Sequence, residues 1–330
     1  MEKKSFLKKL TGSREVSLII VLILLCGFIA FRNSTFLNPS TLADMFKNYA
    51  VTFIIAIGMM LILLIGGIDI SVGSILGFAG MTASLFLRDH QGTPVLIVIL
   101  ISTVVGLLCG LVNGFIISYC KVPPIICTMG MMNAYRGLAY IVAKSQWVAA
   151  YQFTDSYKAF AQTNILGLSS LVWVMFAIYV IFFIVMKWTS VGRRVYAVGS
   201  NPEAAEVSGI KVKRVKLGCY AILGLLSGLA GALYTSLYAS AQGNMGEGME
   251  MDVIAACVVG GVSMTGGSGS VVGVFLGSLI LAVIGKGLPL IGISQFWQTA
   301  IKGLIILVAI IVNVLAQRSM DKAALKGREI

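Results

Sequence analysis

Charged positions in this chain are gathered between long blocks that hold none. Asn48–Ile68, Ile70–Leu87, Val95–Cys120, Thr163–Met186, Leu217–Gly246 and Val253–Gly285 contain no Asp, Glu, Lys or Arg. A membrane-crossing helix needs about 20 such residues in a row, and barrel strands alternate rather than run continuously. The last block is interrupted by TGGSGS at Thr265–Ser270 and divides in two. The pattern predicts ten spans, near 16–31, 48–66, 70–87, 95–119, 124–143, 165–186, 216–240, 252–264, 270–288 and 295–316. The short pieces near 70 and 260 also allow re-entrant segments. The first span follows MEKKSFLKKLTGSRE without a convincing small-residue cleavage site, so it reads as an uncleaved anchor.

Lysine and arginine set the orientation. With the N-terminus inside, 17 of the 25 fall in cytoplasmic segments, six fall outside, and Arg136 and Lys302 lie within spans. That asymmetry places both termini in the cytoplasm. It also accounts for the net charge of +12, because the cations border spans and form no basic groove interleaved with aromatics, as nucleic-acid binding would require. The expectation is therefore an all-α polytopic membrane protein. It has a basic N-terminal segment (1–15), a transmembrane domain (16–316) and a cytoplasmic tail (317–330). At 58% hydrophobic and 12% charged residues, the chain lies well outside the range of soluble domains, which carry about 25% charge.

Little of the sequence suggests enzyme chemistry. His90 is the one histidine, and Cys26, Cys109, Cys120, Cys127, Cys219 and Cys257 lie in or beside spans without CxxC spacing, as packing residues do. GxxxxGK[ST] is absent, and GGSGSVVG at Gly266–Gly273 lacks dinucleotide-motif spacing. No cofactor or metal is expected on this chain. Glycine carries more information. Gly106, Gly110 and Gly114, Gly73 and Gly77, Gly224 and Gly228, and Gly273 and Gly277 recur every four residues, a spacing that lets membrane helices approach closely.

The one sizeable cytoplasmic loop between spans is Lys187–Lys216. Within it Ser200 or Asn201 can cap a helix of about two turns. Pro202 suits its first turn, Glu203 completes Ser-x-x-Glu, Ala204 and Ala205 propagate it, and Gly209 ends it. A small-residue surface helix between basic clusters is either a connector or a plug for another protein's groove.

The Glu-Ala-Ala…Gly stretch resembles the coupling motif of ABC-importer permeases. Read with GGIDISVGS at Gly66–Ser74, TMGMMNAYRGLAYI at Thr128–Ile141, VGRRVYAVGSNPEAAEVSGI at Val191–Ile210 and VVGGVSMTGGSGSVVG at Val258–Gly273, the chain resembles bacterial monosaccharide permeases of the ribose, rhamnose and autoinducer-2 type. The resemblance runs from about residue 16 to 316. It implies the ABC-importer permease fold, an inner-membrane location and a second permease subunit. It also implies a separate ATPase subunit that uses ATP and Mg, and an outer sugar-binding protein. Asn201, Pro202, Glu203, Ala204, Ala205 and Gly209 would then contact the ATPase.

Asp69, between two glycines and a serine pair, has two readings. It caps a helix starting near Ser71–Val72, or with Ser71 and Ser74 it meets a passing sugar. Arg136 and Lys302, about seven residues inside their spans, either snorkel outward or line a vestibule. Asn113, Asn133 and Gln298 complete the polar candidates. The outer segment Lys144–Asn164 carries Trp147, Tyr151, Phe153, Tyr157 and Phe160, as interfacial anchors or as a surface for the binding protein. The main rival to an ATP-driven importer is an ion-coupled secondary transporter, which needs intramembrane acids, and Asp69 is nearly the sole candidate.

Overall fold

A computed structural model describes residues 14–294, 296–301, 303–305, 307–308 and 311. Almost everything described is helical. The order is α1 (Arg14–Arg32), a 3-10 turn (Ser34–Leu37), α2 (Pro39–Leu64), α3 (Val72–Asp89), α4 (Val95–Ser118), α5 (Pro124–Val142), a 3-10 turn (Ala150–Gln152) and α6 (Asp155–Gln162). There follow β1 (Asn164–Ile165), β2 (Leu168–Ser169), α7 (Ser170–Trp188), α8 (Ser190–Ser200), α9 (Pro202–Val207), α10 (Val212–Tyr238), α11 (Met249–Val259) and α12 (Val271–Leu290).

Six of these helices, α1, α2, α4, α7, α10 and α12, are long and apolar enough to cross a membrane. The expected spans 70–87 and 124–143 coincide with the helices α3 and α5, which have similar length but too low an apolar content to count among those six. The expected span 252–264 is the 11-residue α11, about 16 Å long at 1.5 Å per residue and too short for a ~30 Å apolar layer. Positions 296–301 are helical, and the remainder of the tenth expected span lies largely outside the described residues.

The strand pair is a small departure from the all-α expectation. Leu166 and Gly167 both have positive φ, 52° and 83°. They turn a two-residue hairpin with Asn164 opposite Ser169, and this delays the start of α7 to Ser170.

Burial is distributed as in a bundle immersed in lipid. Every residue of α2 from Ala50 to Leu64 is buried, so α2 is the central post, packed on α10, α12, α11 and α7. By contrast, α1 and α4 present Leu24, Phe28, Leu96, Leu100 and Leu108 outward, an apolar exterior far too continuous for water. The four-residue glycine spacings mark real contacts. A Cβ at Gly106 would collide with the backbone of Gly224 and Gly228, and Ser102 Oγ donates to the Gly228 carbonyl at 2.6 Å. Backbone against backbone, α4 and α10 pack as small-residue membrane helices do.

Candidate translocation and coupling elements

Helix α2 stops because Gly66 adopts φ +72°. Its amide reaches the Leu63 carbonyl and that of Gly67 reaches Ile62, both at 2.9 Å, which closes the helix with a left-handed residue that only glycine adopts freely. Five non-helical residues follow before α3, and Asp69 is among them. Asp69 Oδ1 accepts from the Ser71 amide at 2.8 Å and from Ser71 Oγ at 2.6 Å. Asn113 Nδ2 on α4 donates to Ser71 Oγ at 2.9 Å and lies 3.4 Å from Asp69 Oδ2. The Tyr135 hydroxyl on α5 is shared between Asn113 Oδ1 at 3.0 Å and the Cys109 carbonyl at 2.9 Å. Asp69, Ser71 and Asn113 are each no more than 1% exposed. Ser74, also buried, donates to the Ser71 carbonyl at 2.8 Å. A buried carboxylate is tolerable when donors converge on it, and here they come from the break itself and a second helix. Four of the expected polar residues thus face one another.

The other expected polar residues lie elsewhere. Asn133 is exposed and donates to Met129 on its own helix. Gln298 donates to the Ile293 carbonyl at 3.2 Å and lines a cavity with Tyr49 and Thr299. Lys302 lies outside the described residues. Arg136 is half-buried and donates from Nη1 to the carbonyls of Gly243, at 2.8 Å, and Met245, at 2.7 Å. The guanidinium thus holds a stretch of unwound backbone.

That stretch joins α10 to α11. Ala239 ends α10 in the left-handed region at φ 47°, and Gly246 and Gly248 have φ 74° and 80°. Between them Ala241 exchanges both backbone hydrogen bonds with Val148 of the segment joining α5 to α6. Met245 and Gly246 reach α3, where a Cβ at Gly77 would meet the Met245 carbonyl at 3.0 Å. A Cβ at Gly73 would meet Glu250 Oε2 at 2.8 Å. Two cavities, of about 630 and 550 Å³, share Gln242 and Asn244; one includes Tyr140 and Gln152, the other Tyr234, Tyr238 and Glu247. Among the aromatics of residues 144–164, Phe153 and Tyr157 are buried, whereas Trp147 and Tyr151 are exposed.

The loop between α7 and α10 holds two helices where one was expected. Thr189 caps α8 through the amides of Val191 and Gly192. At its far end Gly199 touches the end of α2. A Cβ there would overlap the Leu64 carbonyl and approach the Gly267 amide to 2.7 Å. Tyr196, whose phenol burial shifts toward higher pKa, donates to the Gly269 carbonyl at 2.8 Å. The cap of α9 is Asn201, which accepts from the Ala204 amide at 2.9 Å, with Pro202 in the first turn. Glu203 therefore sits one position short of the capping box expected with Ser200. Gly209 closes α9 at φ +82°, its amide on Glu206 and that of Ile210 on Ala205. Ala205 faces inward at 4% exposure, whereas Val207 is 90% exposed. No group of His, Cys, Asp and Glu able to hold a metal occurs among the described residues.

Residues 42–310 match the family model described as "Branched-chain amino acid transport system / permease component". The chain belongs to this permease family. It is also 37% identical to the ribose import permease protein RbsC of Bacillus subtilis, over 88% of this chain and 90% of that protein. It is 36% identical to the galactose/methyl galactoside import permease protein MglC of Escherichia coli, over 94% and 96%. Identity to the Escherichia coli ribose import permease protein RbsC is 33%, over 91% and 93%. No solved structure matches the chain. The permease is a multi-pass membrane transport component rather than an enzyme.

Three features of the permease were missed in the sequence. Tyr135 completes the Asp69–Asn113 network. Helix α8 contacts the end of α2. The unwound stretch, which falls almost wholly beyond the expected span 216–240, was given no role, although Ser240, Gln242 and Asn244 interspersed with Gly243, Gly246 and Gly248 is the polar, glycine-broken pattern of a discontinuous membrane helix.

Proposed function

We propose that this chain is the inner-membrane permease subunit of an ATP-driven, binding-protein-dependent importer of a monosaccharide or related polyol. The observation that carries this is its 33–37% identity, over about nine-tenths of its length, to ribose and galactose import permeases. The membrane domain has ten helical segments, both termini in the cytoplasm, and works as a pair. A separate ATPase docks on α9, and an outer binding protein delivers the sugar above the segment around Trp147 and Tyr151.

Within that reading, the substrate path runs past the unwound residues 239–248. Tyr140, Tyr234, Tyr238, Gln242 and Asn244 offer aromatic faces and amide groups, chemistry suited to a neutral polyol held weakly enough to leave. Asp69, Ser71, Ser74 and Asn113 brace the break between α2 and α3. Ion coupling is not favoured, because both carboxylate oxygens of Asp69 already accept hydrogen bonds from neighbours.

The test is uptake of labelled ribose and galactose into proteoliposomes. Uptake is expected only with ATP, the ATPase subunit and the binding protein all present. Uptake driven by an imposed proton or sodium gradient alone would overturn the proposal.

A further inference from the structure

A cavity of about 870 Å³ opens where α7, α8 and the start of α10 meet. Its rim carries Arg193 and Arg194 of α8, Lys211 and Arg214, and no acidic residue lines it. Its floor is apolar and is made by Leu61, Phe182 and Ile222 of the crossing helices α2, α7 and α10. The ion pairs Arg88–Asp89 and Lys158–Asp155 do not involve these four cations. Of the four, Arg193 reaches the Trp188 carbonyl at 3.4 Å.

Three observations point to one occupant. First, Trp188 at the end of α7 is 58% exposed with Lys187 over its ring at 5.1 Å, the aromatic–cation pairing that marks a membrane–water boundary. Met186 and Ser190, on either side of that pair in the chain, line the cavity. Second, α10 begins with Lys211 making no side-chain cap bond and with no acid in its first turn, so the positive end of a 27-residue helix adds to the field of the rim. Third, cations above and hydrocarbon below match a molecule with an anionic head and an apolar tail. The positive-inside bias alone explains where the cations are, but not why they ring an apolar hollow.

We propose that this cavity binds an anionic phospholipid, its phosphate held by Arg194 and Arg214 and its acyl chain laid against Phe182 and Ile222. The proposal holds whichever leaflet the site faces, so it stands independently of the orientation and transport reading above. Basic pockets between membrane helices recognise lipid headgroups in this way.

The experiment is native mass spectrometry of the full chain purified with phosphatidylglycerol or phosphatidylcholine. Wild-type protein is expected to retain phosphatidylglycerol selectively. Arg194→Gln with Arg214→Gln should weaken that retention about thirtyfold, from roughly one unit of surface attraction per cation removed. Lys213→Gln with Lys216→Gln, cations outside this cavity, should leave it within a few-fold. Equal losses in the two pairs would reduce the effect to general surface attraction and overturn the proposal. Displacement of the lipid by millimolar inorganic phosphate would make the site one for free phosphate. Displacement on adding the ATPase subunit would make the cavity a protein seat. Melting in phosphatidylcholine, unchanged among all variants, shows that the chain still folds.

Discussion

Gly267 donates its backbone amide to the Leu64 carbonyl at 2.9 Å, fastening the loop after α11 to the last residue of α2. Gly199 of α8 is wedged against both partners. Helix α8 thus packs directly on the end of α2, and the non-helical residues that follow carry Asp69 to the network on α4 and α5.

Gly199→Val tests that junction. The side chain has no room beside Leu64 and Gly267, so the variant is expected to lose about 1–3 kcal/mol or more. Thermal unfolding should show the loss, and nucleotide-dependent uptake should fall further than protein level. Unchanged melting and uptake would mean that α8 and α2 are not packed as described.

Asp69 separates bracing from transport. Asp69→Asn keeps an acceptor for the Ser71 amide and should cost about 1 kcal/mol or less. Asp69→Ala leaves the buried Ser71 and Asn113 donors without it and should cost about 1–3 kcal/mol. Near-complete loss of uptake in a well-folded Asp69→Asn protein would instead put the carboxylate in the sugar's path.

Arg136→Gln should loosen residues 239–248 by removing two charge-assisted bonds to Gly243 and Met245. At half burial the loss is on the order of 1–2 kcal/mol. A cysteine placed at Asn244 should then react with a polar maleimide several-fold faster than in the Arg136 background. No change in rate would show that the guanidinium does not hold the loop.

Helix α9 yields a paired expectation. Val207 projects into solvent, so Val207→Asp should leave melting within about 0.5 kcal/mol of wild type yet abolish co-purification of the ATPase subunit. Ala205→Arg forces a long cation into the permease's own packing, so it should destabilise the loop before it tests docking. If Val207→Asp retains its ATPase and full uptake, this face of α9 is not the docking surface.

The apolar runs made α2, α4, α7, α10 and α12 readable, because a crossing helix must be nearly uncharged throughout. Asn201, Pro202 and Gly209 made α9 readable, since caps and left-handed closures use specific residues at fixed offsets. What stayed hidden was pairing at a distance. Asn113 meets Asp69 across 44 residues and Arg136 meets Gly243 across 107, and no local pattern encodes such partners. Helix α8 was obscured because Gly192, Arg193, Arg194 and Gly199 interrupt its apolar stripe. The half-length α11 was overestimated because apolar residues continue past its end into the non-helical Val262 and Met264.

The glycine seam between α4 and α10 also bears on how the chain is made. Ser102 and its partner Gly228 are 126 residues apart, so α4 leaves the ribosome long before the surface that covers it exists. At about 5–20 residues per second of synthesis, its bare glycine face waits roughly 6–25 s, exposed to lipid or to the insertion machinery. During that interval the seam is free to pair with the small-residue face of a different helix. Slowing translation between α4 and α10 should therefore lower the yield of correctly assembled protein, even though no residue has changed.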